Sequence, residues 1–349
     1  MASFNYHLGI DLHKQFAYWT LINNAREVLF QGKVDTEKNA TLKALNNLPV
    51  PAQETQAAVE PVEQWGWYSE ILEQKGYTIF LTDSLKAKLI AGSRLKNDKV
   101  DSLALAELLR SDFLPKAFLA PRKDRELREF LRWRVFYVRV STRVKNRIHG
   151  ILAKHGLRAP KTDLFGKKGM DWLKQQELRP VFKRELDSLL KAYEVIKDEV
   201  RILTNEAKRM VSKDEELKIL QSIPGIGPLG ALTIKSEVGD FSRFARPEKL
   251  ASYAGLVSSS YSSGGKLRFG KITKQGSRYL RWIMVEATQR PSPKLGKLYS
   301  FYQKIKTKKG NKIARVALAR KLLCLCWVLA NKKEHFSVLP CRGSGSVTQ

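Results

Sequence analysis

Apolar residues follow two different periods along this chain, and the first third has the shorter one. Runs of β-forming residues predict strands in HLGIDLH, FAYWTLIN and EVLFQGKV, with a turn at NNAR. The following segments predict, in order, a helix over 36–47, the strand QAAVE ending at Glu60, a helix over 63–75, the strand YTIFLT and the helix SLKAKLIAG. This alternation predicts an α/β domain with a central sheet over residues 1–115.

Helical spacing dominates the rest of the chain. Residues 98–111 predict a helix, and Pro115 and Pro121 bracket a short connection. Two long helices are expected over 122–157 and 174–212, within a helical coiled-coil dimerisation region at 116–215. Residues 216–336 predict a mainly α domain with one polar insertion, and residues 337–349 predict a flexible tail.

The second long helix has a regular apolar repeat in steps of four and three. Its members are Phe182, Leu186, Leu189, Tyr193, Ile196, Val200, Leu203, Ala207 and Met210. Such spacing favours a coiled-coil seam, either within the chain or between two chains. An ordinary amphipathic helix in a bundle is the alternative.

The positive charge lies almost entirely outside the first domain. The formal net charge is +29, of which residues 1–115 contribute −2 and residues 116–349 contribute +31. This excess predicts a nucleic-acid partner, with an anionic membrane or a ribosomal role as alternatives. In the first long helix, one basic face is expected to contact phosphates, with Arg125, Arg128, Arg132, Arg134, Arg139, Arg143, Lys145 and Arg147 as candidates.

The three cysteines, Cys324, Cys326 and Cys341, match no metal-binding spacing and no even-numbered disulfide framework. The N-terminus lacks a basic-then-apolar signal, and no long apolar run predicts a membrane span. We therefore expect a protein of the reduced cytoplasm that is not associated with a membrane.

Four acids are candidates for a metal site. Asp11 lies in the first strand, Glu60 ends a later strand, and Asp98 and Asp101 share one face of a helix. Oxygen ligands of this kind suit Mg²⁺ or Mn²⁺ and the cleavage of phosphodiesters. The alternative is that the four acids are structural, with Asp98 as a helix cap. The nearby acids Glu63 and Asp83 fit no matching position and are interpreted as surface residues.

The segment Ser222–Ala231 has the form of a helix-hairpin-helix turn. Gly225 and Gly227 allow a tight turn whose amides approach a phosphate, and the next helix presents its N-terminus to the same anion. A plain helix–helix connection is the alternative.

A second polar segment, Ser262-Ser263-Gly264-Gly265, is interpreted as a flexible loop between apolar helices. The basic residues around it are Lys266, Arg268, Lys271, Lys274, Arg278 and Arg281. A serine aided by cations or a metal attacks a phosphodiester, but a loop that merely binds phosphate has the same composition. The residues alone leave both interpretations open.

Taken in order, these blocks resemble the insertion-sequence 110/1111 type transposases, relatives of the Piv pilin-gene invertase. The blocks are GIDLHK, the AVEP strand end, LKNDKVDSLALAELL, RVKNRIHGIL, SIPGIGPLGA and YAGLVSSSYSSGGKLRFGKITKQGSRYLR. The resemblance covers nearly the whole chain and implies a bacterial protein associated with the nucleoid.

The resemblance implies a RuvC-like (RNase H-like) N-terminal domain whose Asp-Glu-Asp-Asp metal site is Asp11, Glu60, Asp98 and Asp101. It also implies a coiled coil and then a transposase domain with a nucleophilic serine. The family pattern Tyr-x-Ser-Gly places that serine at Ser263, with Ser262 as a rival. This chain has Ser258 where a proline is common in the family.

The mechanism implied by the resemblance is a covalent phosphoserine link to a cut DNA strand, with a metal held in the RuvC-like domain. The active site would join the metal domain of one protomer to the serine domain of another, in dimers that pair into tetramers. A non-coding guide RNA encoded beside the gene would pair with donor and target DNA. Two rivals are a RuvC-like nuclease that uses water and a non-catalytic nucleic-acid-binding protein.

Overall fold

The computed structural model describes residues 4–91, 97–159, 163–263 and 266–337. The chain divides into two units between Ala120 and Pro121, and each unit is described separately.

The first unit is built on a six-stranded mixed sheet of order β3-β2-β1-β4-β5-β6. Its strands are β1 (Tyr6–Leu12), β2 (Phe16–Asn23), β3 (Val28–Asp35), β4 (Thr55–Val59), β5 (Thr78–Thr82) and β6 (Lys116–Ala117). Its helices are α1 (Lys38–Asn46), α2 (Trp65–Gln74), α3 (Ser84–Ala91) and α4 (Asp98–Arg110). The first three strands form an antiparallel meander, whereas β4 runs parallel to both β1 and β5. The predicted α/β organisation of this unit is confirmed.

One strand was missed by the sequence analysis. Residues between Pro115 and Pro121 were interpreted as a connection, but Lys116 and Ala117 pair antiparallel with the end of β5. Two residues are too few to show an alternating pattern, so this edge strand depends on the neighbour that it pairs with.

The two faces of β1 meet different partners. Leu8, Ile10 and Leu12 belong to the core that also contains Tyr68 and Leu72 of α2. Because side chains alternate across a strand, Gly9 and Asp11 face the opposite side, where α4 packs across β1 and β2. The side of the sheet that carries Asp11 is therefore the side that receives the acidic start of α4.

The second unit is mainly helical, as predicted. Its helices are α5 (Arg122–Lys154), α6 (Lys167–Lys174), α7 (Pro180–Ser212), α8 (Glu215–Ser222), α9 (Pro228–Val238), α10 (Pro247–Tyr253), α11 (Arg278–Glu286), α12 (Lys297–Lys309) and α13 (Asn311–Lys332). Its strands are β7 (Ser258–Ser263) and β8 (Lys266–Ile272). Among the described helices of the chain, none is long and apolar enough to cross a membrane.

The apolar repeat of α7 packs within the chain. Leu186 and Tyr193 are buried with Ile148 and Ile151 of α5, and Phe182, Leu189 and Ile196 lie at the margin of the same core. The fully buried neighbour is Leu190 rather than Leu189, which is only half-buried. Of the two arrangements that the heptads allow, the pairing seen here is between α5 and α7 of one chain.

Two helix boundaries differ from the predicted ones. The helix predicted over 174–212 is divided, because α6 ends at Lys174 and Pro180 opens α7 at its first position. Proline is favoured there, since its fixed φ fits a helix start and its missing N–H would have no partner in any case. The predicted helix over 122–157 ends at Lys154, just before Gly156 with its positive φ of 65°.

The interpretation of Ser262-Ser263-Gly264-Gly265 as a loop between helices was wrong at Ser262 and Ser263, which belong to a strand. Ser258–Ser263 and Lys266–Ile272 pair as an antiparallel hairpin, in which Ser263 lies opposite Lys266. Gly264 and Gly265 lie outside the described residues. The alternation of polar and apolar residues in KLRFGKI has the period of a strand, and this signal was overridden by the Ser/Gly composition.

A candidate metal centre and nucleic-acid contacts

Strand pairing places two of the predicted acids side by side. In the parallel pairing of β1 with β4, Ile10 lies opposite Val59. Asp11 is the next residue of β1 and Glu60 directly follows β4, so the two acids lie at the same end of this strand pair. This juxtaposition follows from the register of the central strands and not from nearness in sequence.

The other two acids arrive on the first turn of α4. Asn97 caps this helix, its side chain accepting a hydrogen bond from the amide of Lys99, so Asp98 is not the cap. Asp98 and Asp101 follow in the first turn, where the helix dipole favours negative charge.

A glycine allows α4 to come this close to the sheet. A Cβ on Gly9 would collide with the carbonyl oxygen of Ser102 and the amide nitrogen of Ala106, both backbone atoms of α4. A buried hydrogen bond of 2.7 Å between the hydroxyls of Thr20 and Ser102 fixes the same contact. The helix that carries Asp98 and Asp101 is thus held directly against the strand that carries Asp11.

All four predicted acids line one pocket. Its polar lining residues are Asp11, His13, Glu60, Asn97, Asp98 and Asp101. The tightest group is Asp11, His13 and Asp98, each of which offers a ligand atom within 4.8 Å of the others. His13 Nε2 lies 3.1 Å from Asp11 Oδ2 and 3.4 Å from Asp98 Oδ1. The arrangement fits a cation bound among carboxylate oxygens, with an imidazole beside them.

The charges and the burial around Asp11 also fit a bound cation. Burial raises the pKa of Asp11, the neighbouring His13 lowers it, and the carboxylates of Asp101 and Asp98 raise it again. Burial and like charge therefore both oppose the ionised form of Asp11, which is the state that a bound cation would stabilise.

His13 was missed by the sequence analysis. It lies two residues after Asp11 in GIDLHK, a spacing that puts both side chains on one side of an extended segment. That signal was present in the sequence, but a single histidine has no specificity until its neighbours are known.

Gly225 and Gly227, the two glycines predicted in the turn between α8 and α9, have different surroundings. Gly225 has a φ of +98°, and a Cβ there would strike the carbonyl oxygen of Ala287, so packing against α11 explains this glycine. Gly227 has open space around it and caps α9, whose first residue is Pro228. Both glycines line a pocket of about 280 Å³ that Lys208 also borders.

Several arginines of α5 form hydrogen bonds within the second unit. Arg128 donates to the carbonyl oxygen of Ser236 at 2.7 Å, and Arg134 donates to the hydroxyl of Thr204 at 2.9 Å. The expected phosphate-binding face of this helix is therefore smaller than the sequence indicates.

The three basic residues named near the end of α5 also differ from one another. Arg143 is exposed, whereas Arg147 forms an ion pair with Glu185. The Nζ atom of Lys145 lies over the rings of Phe165 and Tyr193, at 5.0 Å and 5.3 Å from their centres.

Around the serine hairpin, three predicted basic residues face solvent: Arg268, Lys271 and Lys274. Arg278 is also exposed and lies over the ring of Tyr279, whereas Arg281 donates to the carbonyl oxygen of Ala254 at 3.0 Å. For Ser262, Ser263 and Lys266 the structure gives the backbone position in the hairpin.

One buried carboxylate, Glu237, was not predicted from the sequence. Glu237 is 5% exposed, and Ser277 at the start of α11 donates to it at 2.9 Å. The guanidinium groups of Arg132 and Arg128 lie 3.4 Å and 3.9 Å from its two oxygens. Glu237 thus joins α5, α9 and the segment that follows the serine hairpin, a connection visible only in the folded chain.

Comparison with known proteins matched two parts of this chain to transposase family domains. Residues 8–156 match a DEDD transposase domain of the IS110 type, and residues 217–303 match a domain described as "Transposase IS116/IS110/IS902 family". The metal pocket lies in the first match and the serine hairpin in the second.

Similar proteins extend over most of the chain. The transposase for insertion sequence element IS1328 of Yersinia enterocolitica is 28% identical over 69% of this chain and 74% of its own length. The transposase for insertion sequence element IS1111A of Coxiella burnetii is 27% identical, covering 74% of this chain and 75% of its own. The putative transposase y4qE of Sinorhizobium fredii is 25% identical over 83% of this chain and 73% of its own.

Proposed function

Because this chain belongs to the IS110/IS116/IS902 transposases and thus to the enzymes of DNA transposition, we propose that it cuts and rejoins DNA through a covalent phosphoserine link. The observation that carries the proposal is the pocket that gathers Asp11, Glu60, Asp98 and Asp101 from three separate elements. Mg²⁺ or Mn²⁺ is the proposed cofactor, held by these four acids with His13 as a further donor.

The residues present fit such an ion. Two acids on adjacent strands and two on a helix N-terminus concentrate negative charge around a carboxylate, Asp11, that is 6% exposed. A divalent ion bound there supplies positive charge that stabilises the attacking and leaving oxygens of a phosphodiester. The residues of the chain itself hold and orient that charge, with Gly9 and Asn97 positioning the acids of α4.

We also propose that the first unit is RuvC-like. In support, its central strand carries an acid, the adjacent parallel strand is followed directly by a second, and a helix across the same face carries two more. The order of acids along the chain is that of the resembling family.

Ser263 is the proposed nucleophile, with Ser262 as the alternative. Its hydroxyl oxygen bonds to phosphorus as the bridging oxygen of the cut strand leaves, and the proton of the serine ends on that leaving oxygen. A hydroxyl of the strand to be joined then attacks the same phosphorus, restoring the serine as the new phosphodiester forms. The exposed Arg268, Lys271, Lys274 and Arg278 near the hairpin would stabilise the charge that develops on the phosphate.

The partners proposed are donor and target DNA, a non-coding guide RNA, and a second copy of the chain in a homodimer that pairs into a tetramer. The α8–α9 turn is the proposed helix-hairpin-helix contact, through Gly227 and the amides that open α9. Base pairing by the RNA would select the sequence, while basic side chains of the protein contact the backbone.

The test uses a labelled DNA substrate and two variants. We expect Asp11→Asn and Ser263→Ala each to abolish strand exchange, and Ser263→Ala to abolish the protein–DNA adduct that survives denaturation. The Ser262→Ala variant is the matched control and should retain the adduct. Peptide mapping of the adduct identifies the linked serine directly.

Each rival makes a different prediction for the same experiment. A nuclease that uses water would still cut DNA as the Ser263→Ala variant and would form no adduct. A binding protein with structural acids would be unaffected by Asp11→Asn. An adduct that persists in Ser263→Ala and disappears in Ser262→Ala would transfer the role to Ser262.

A further inference from the structure

Acidic residues are missing from a long segment near the end of the second unit. Between Glu286 and Glu334 there are 47 residues with 13 lysines and arginines and no aspartate or glutamate. Most of this charge falls on α12 and the first half of α13, residues 297–321, here called the basic hairpin. It extends beyond the matched transposase domain, which ends at residue 303.

The lysines of the basic hairpin point into solvent. Seven are exposed: Lys297, Lys304, Lys306, Lys308, Lys309, Lys312 and Lys321. Within the described part of the chain, the ion pairs of this unit leave all seven without a carboxylate partner. Their charge is therefore neutralised by no other part of the described structure, and an exposed cluster of this density attracts a polyanion.

Three of these lysines form a stripe along α12. Lys297, Lys304 and Lys308 are separated by seven and four residues, so they lie on one face of the helix. At 1.5 Å per residue the stripe is about 16 Å long. Lys321 of α13 stands beside it, with its Nζ atom 5.9 Å from the ring of Phe301 on α12.

The turn of the basic hairpin is fixed rather than loose. Tyr302 is 5% exposed, and its hydroxyl donates to Asn311 at 2.8 Å, joining α12 to the start of α13. Gly310 makes the turn itself, with a φ of +83° and no atom within 4 Å of an added Cβ. The lysines are thus held on a rigid support, which lowers the entropy lost on binding.

We propose that the basic hairpin binds the phosphate backbone of duplex DNA without reading its sequence. A duplex carries one charge per 1.7 Å, so about 16 Å of it presents roughly nine charges, against about five for a single strand. The seven lysines of the two helices are about two charges short of the duplex and about two above the single strand, so charge alone favours neither form and the aromatic residues decide between them. The inference rests on the proposed function only for the choice of DNA as the ligand.

The aromatic residues of the basic hairpin support a duplex over a single strand. Proteins that hold unpaired bases stack them on exposed rings. Here Tyr302 is buried, Tyr299 and Phe301 are half-buried, and Lys321 covers Phe301. The described surface of the hairpin therefore presents charge without a stacking platform.

The test is a salt titration of DNA binding by the full chain. Anisotropy of a labelled duplex of arbitrary sequence is measured between about 50 and 200 mM salt, because each phosphate contact adds about 0.9 to the slope of log K against log salt. The Lys297→Gln, Lys304→Gln, Lys308→Gln variant should lose about 2 to 3 from that slope and bind roughly 10²-fold more weakly at about 0.1 M salt.

The matched control removes the same charge elsewhere in the unit. Lys167, Lys168 and Lys191 are also exposed, and their triple glutamine variant should bind almost as tightly as the wild type, with a slope change below about 1. Equal losses in both variants would overturn the proposal, as would a stripe variant with the slope of the wild type. Stripe-dependent binding that is tighter for a single strand or an RNA hairpin would overturn the choice of duplex DNA.

Failure of this proposal is distinguishable from failure of the proposed chemistry. Strand exchange by the Asp11→Asn and Ser263→Ala variants tests the reaction. The three stripe substitutions, added to the Ser263→Ala chain, should lower its salt slope by the same amount, about 2 to 3, as they do in the wild type, so the hairpin measurement does not depend on the reaction.

Discussion

At the scale of single residues, the candidate metal site depends on a residue that has no side chain. Gly9 lies two positions before Asp11, and its lack of a Cβ lets the backbone of α4 rest on β1. Because Asp98 and Asp101 open that helix, any shift of α4 moves two acids away from Asp11. The spacing of the acids is therefore set by a contact that contains none of them.

We predict that Gly9→Ala destabilises the protein by about 1–3 kcal/mol and weakens Mn²⁺ binding, since the added methyl group forces α4 away from the sheet. Urea unfolding measures the first effect, and calorimetric titration with Mn²⁺ measures the second. Gly66→Ala is the matched control, because a Cβ at Gly66 in α2 meets no atom within 4 Å. Wild-type metal affinity in Gly9→Ala would show that α4 is not held by this contact.

At the scale of elements, one carboxylate, that of Asp214, links α8 to α9 and so supports the turn between them. Asp214 caps α8 by accepting from the amide of Leu217 at 3.1 Å, and it accepts from Lys235 near the end of α9 at 2.7 Å. Burial raises the pKa of Asp214, but the bonds from Lys235 and Leu217 outweigh this and hold the pKa below its ordinary value. The proposed DNA-contacting turn is thus supported at the far ends of both helices.

We expect Asp214→Ala to lower the free energy of unfolding by about 1–2 kcal/mol, whereas Asp214→Asn, which keeps the helix cap, lowers it by less. Because the pKa of Asp214 is lowered on folding, its ionised form stabilises the fold above about pH 4, and this contribution is lost as the pH falls further. Urea unfolding at about pH 7 and about pH 3.5 measures both effects. A stability difference between wild type and Asp214→Asn that does not shrink on acidification would refute the assignment.

At the scale of the whole molecule, α7 has two different sets of apolar residues: the repeat, which is packed inside the chain, and a second set, which is exposed. The repeat packs on α5 of the same chain, while Val181, Val195 and Ile202 remain 76%, 65% and 53% exposed. Val195 and Ile202 are seven residues apart and share one face of α7. This face, and not the buried repeat, is where α7 offers apolar side chains to a second copy in the proposed homodimer.

Light scattering of a Val195→Asp, Ile202→Asp variant should therefore show loss of the dimer with little change in Tm, because both side chains are already in solvent. Ile313→Asp, at an apolar position on α13 that is 54% exposed, is the control and should leave the mass unchanged. A dimer that survives the double variant would place the contact between copies on another surface.

The sequence by itself determined most of the classes of element, the uneven charge and which four acids to expect at the site. Periods of two and of 3.6 are local properties, and charge is additive, so both can be predicted without a fold. The family motifs added Ser263 and the roles of the acids, which stay predictions until the variants are tested.

Only the tertiary structure decided which residues meet. The register of β1 with β4 put Glu60 beside Asp11, the packing of α4 brought Asp98 to Asp11 and His13, and folding used Arg128 and Arg134 as internal supports. It also paired the two halves of the serine segment as a hairpin. The hairpin joins neighbouring segments, but the other outcomes depend on contacts between residues distant in sequence, whose energies no local pattern contains.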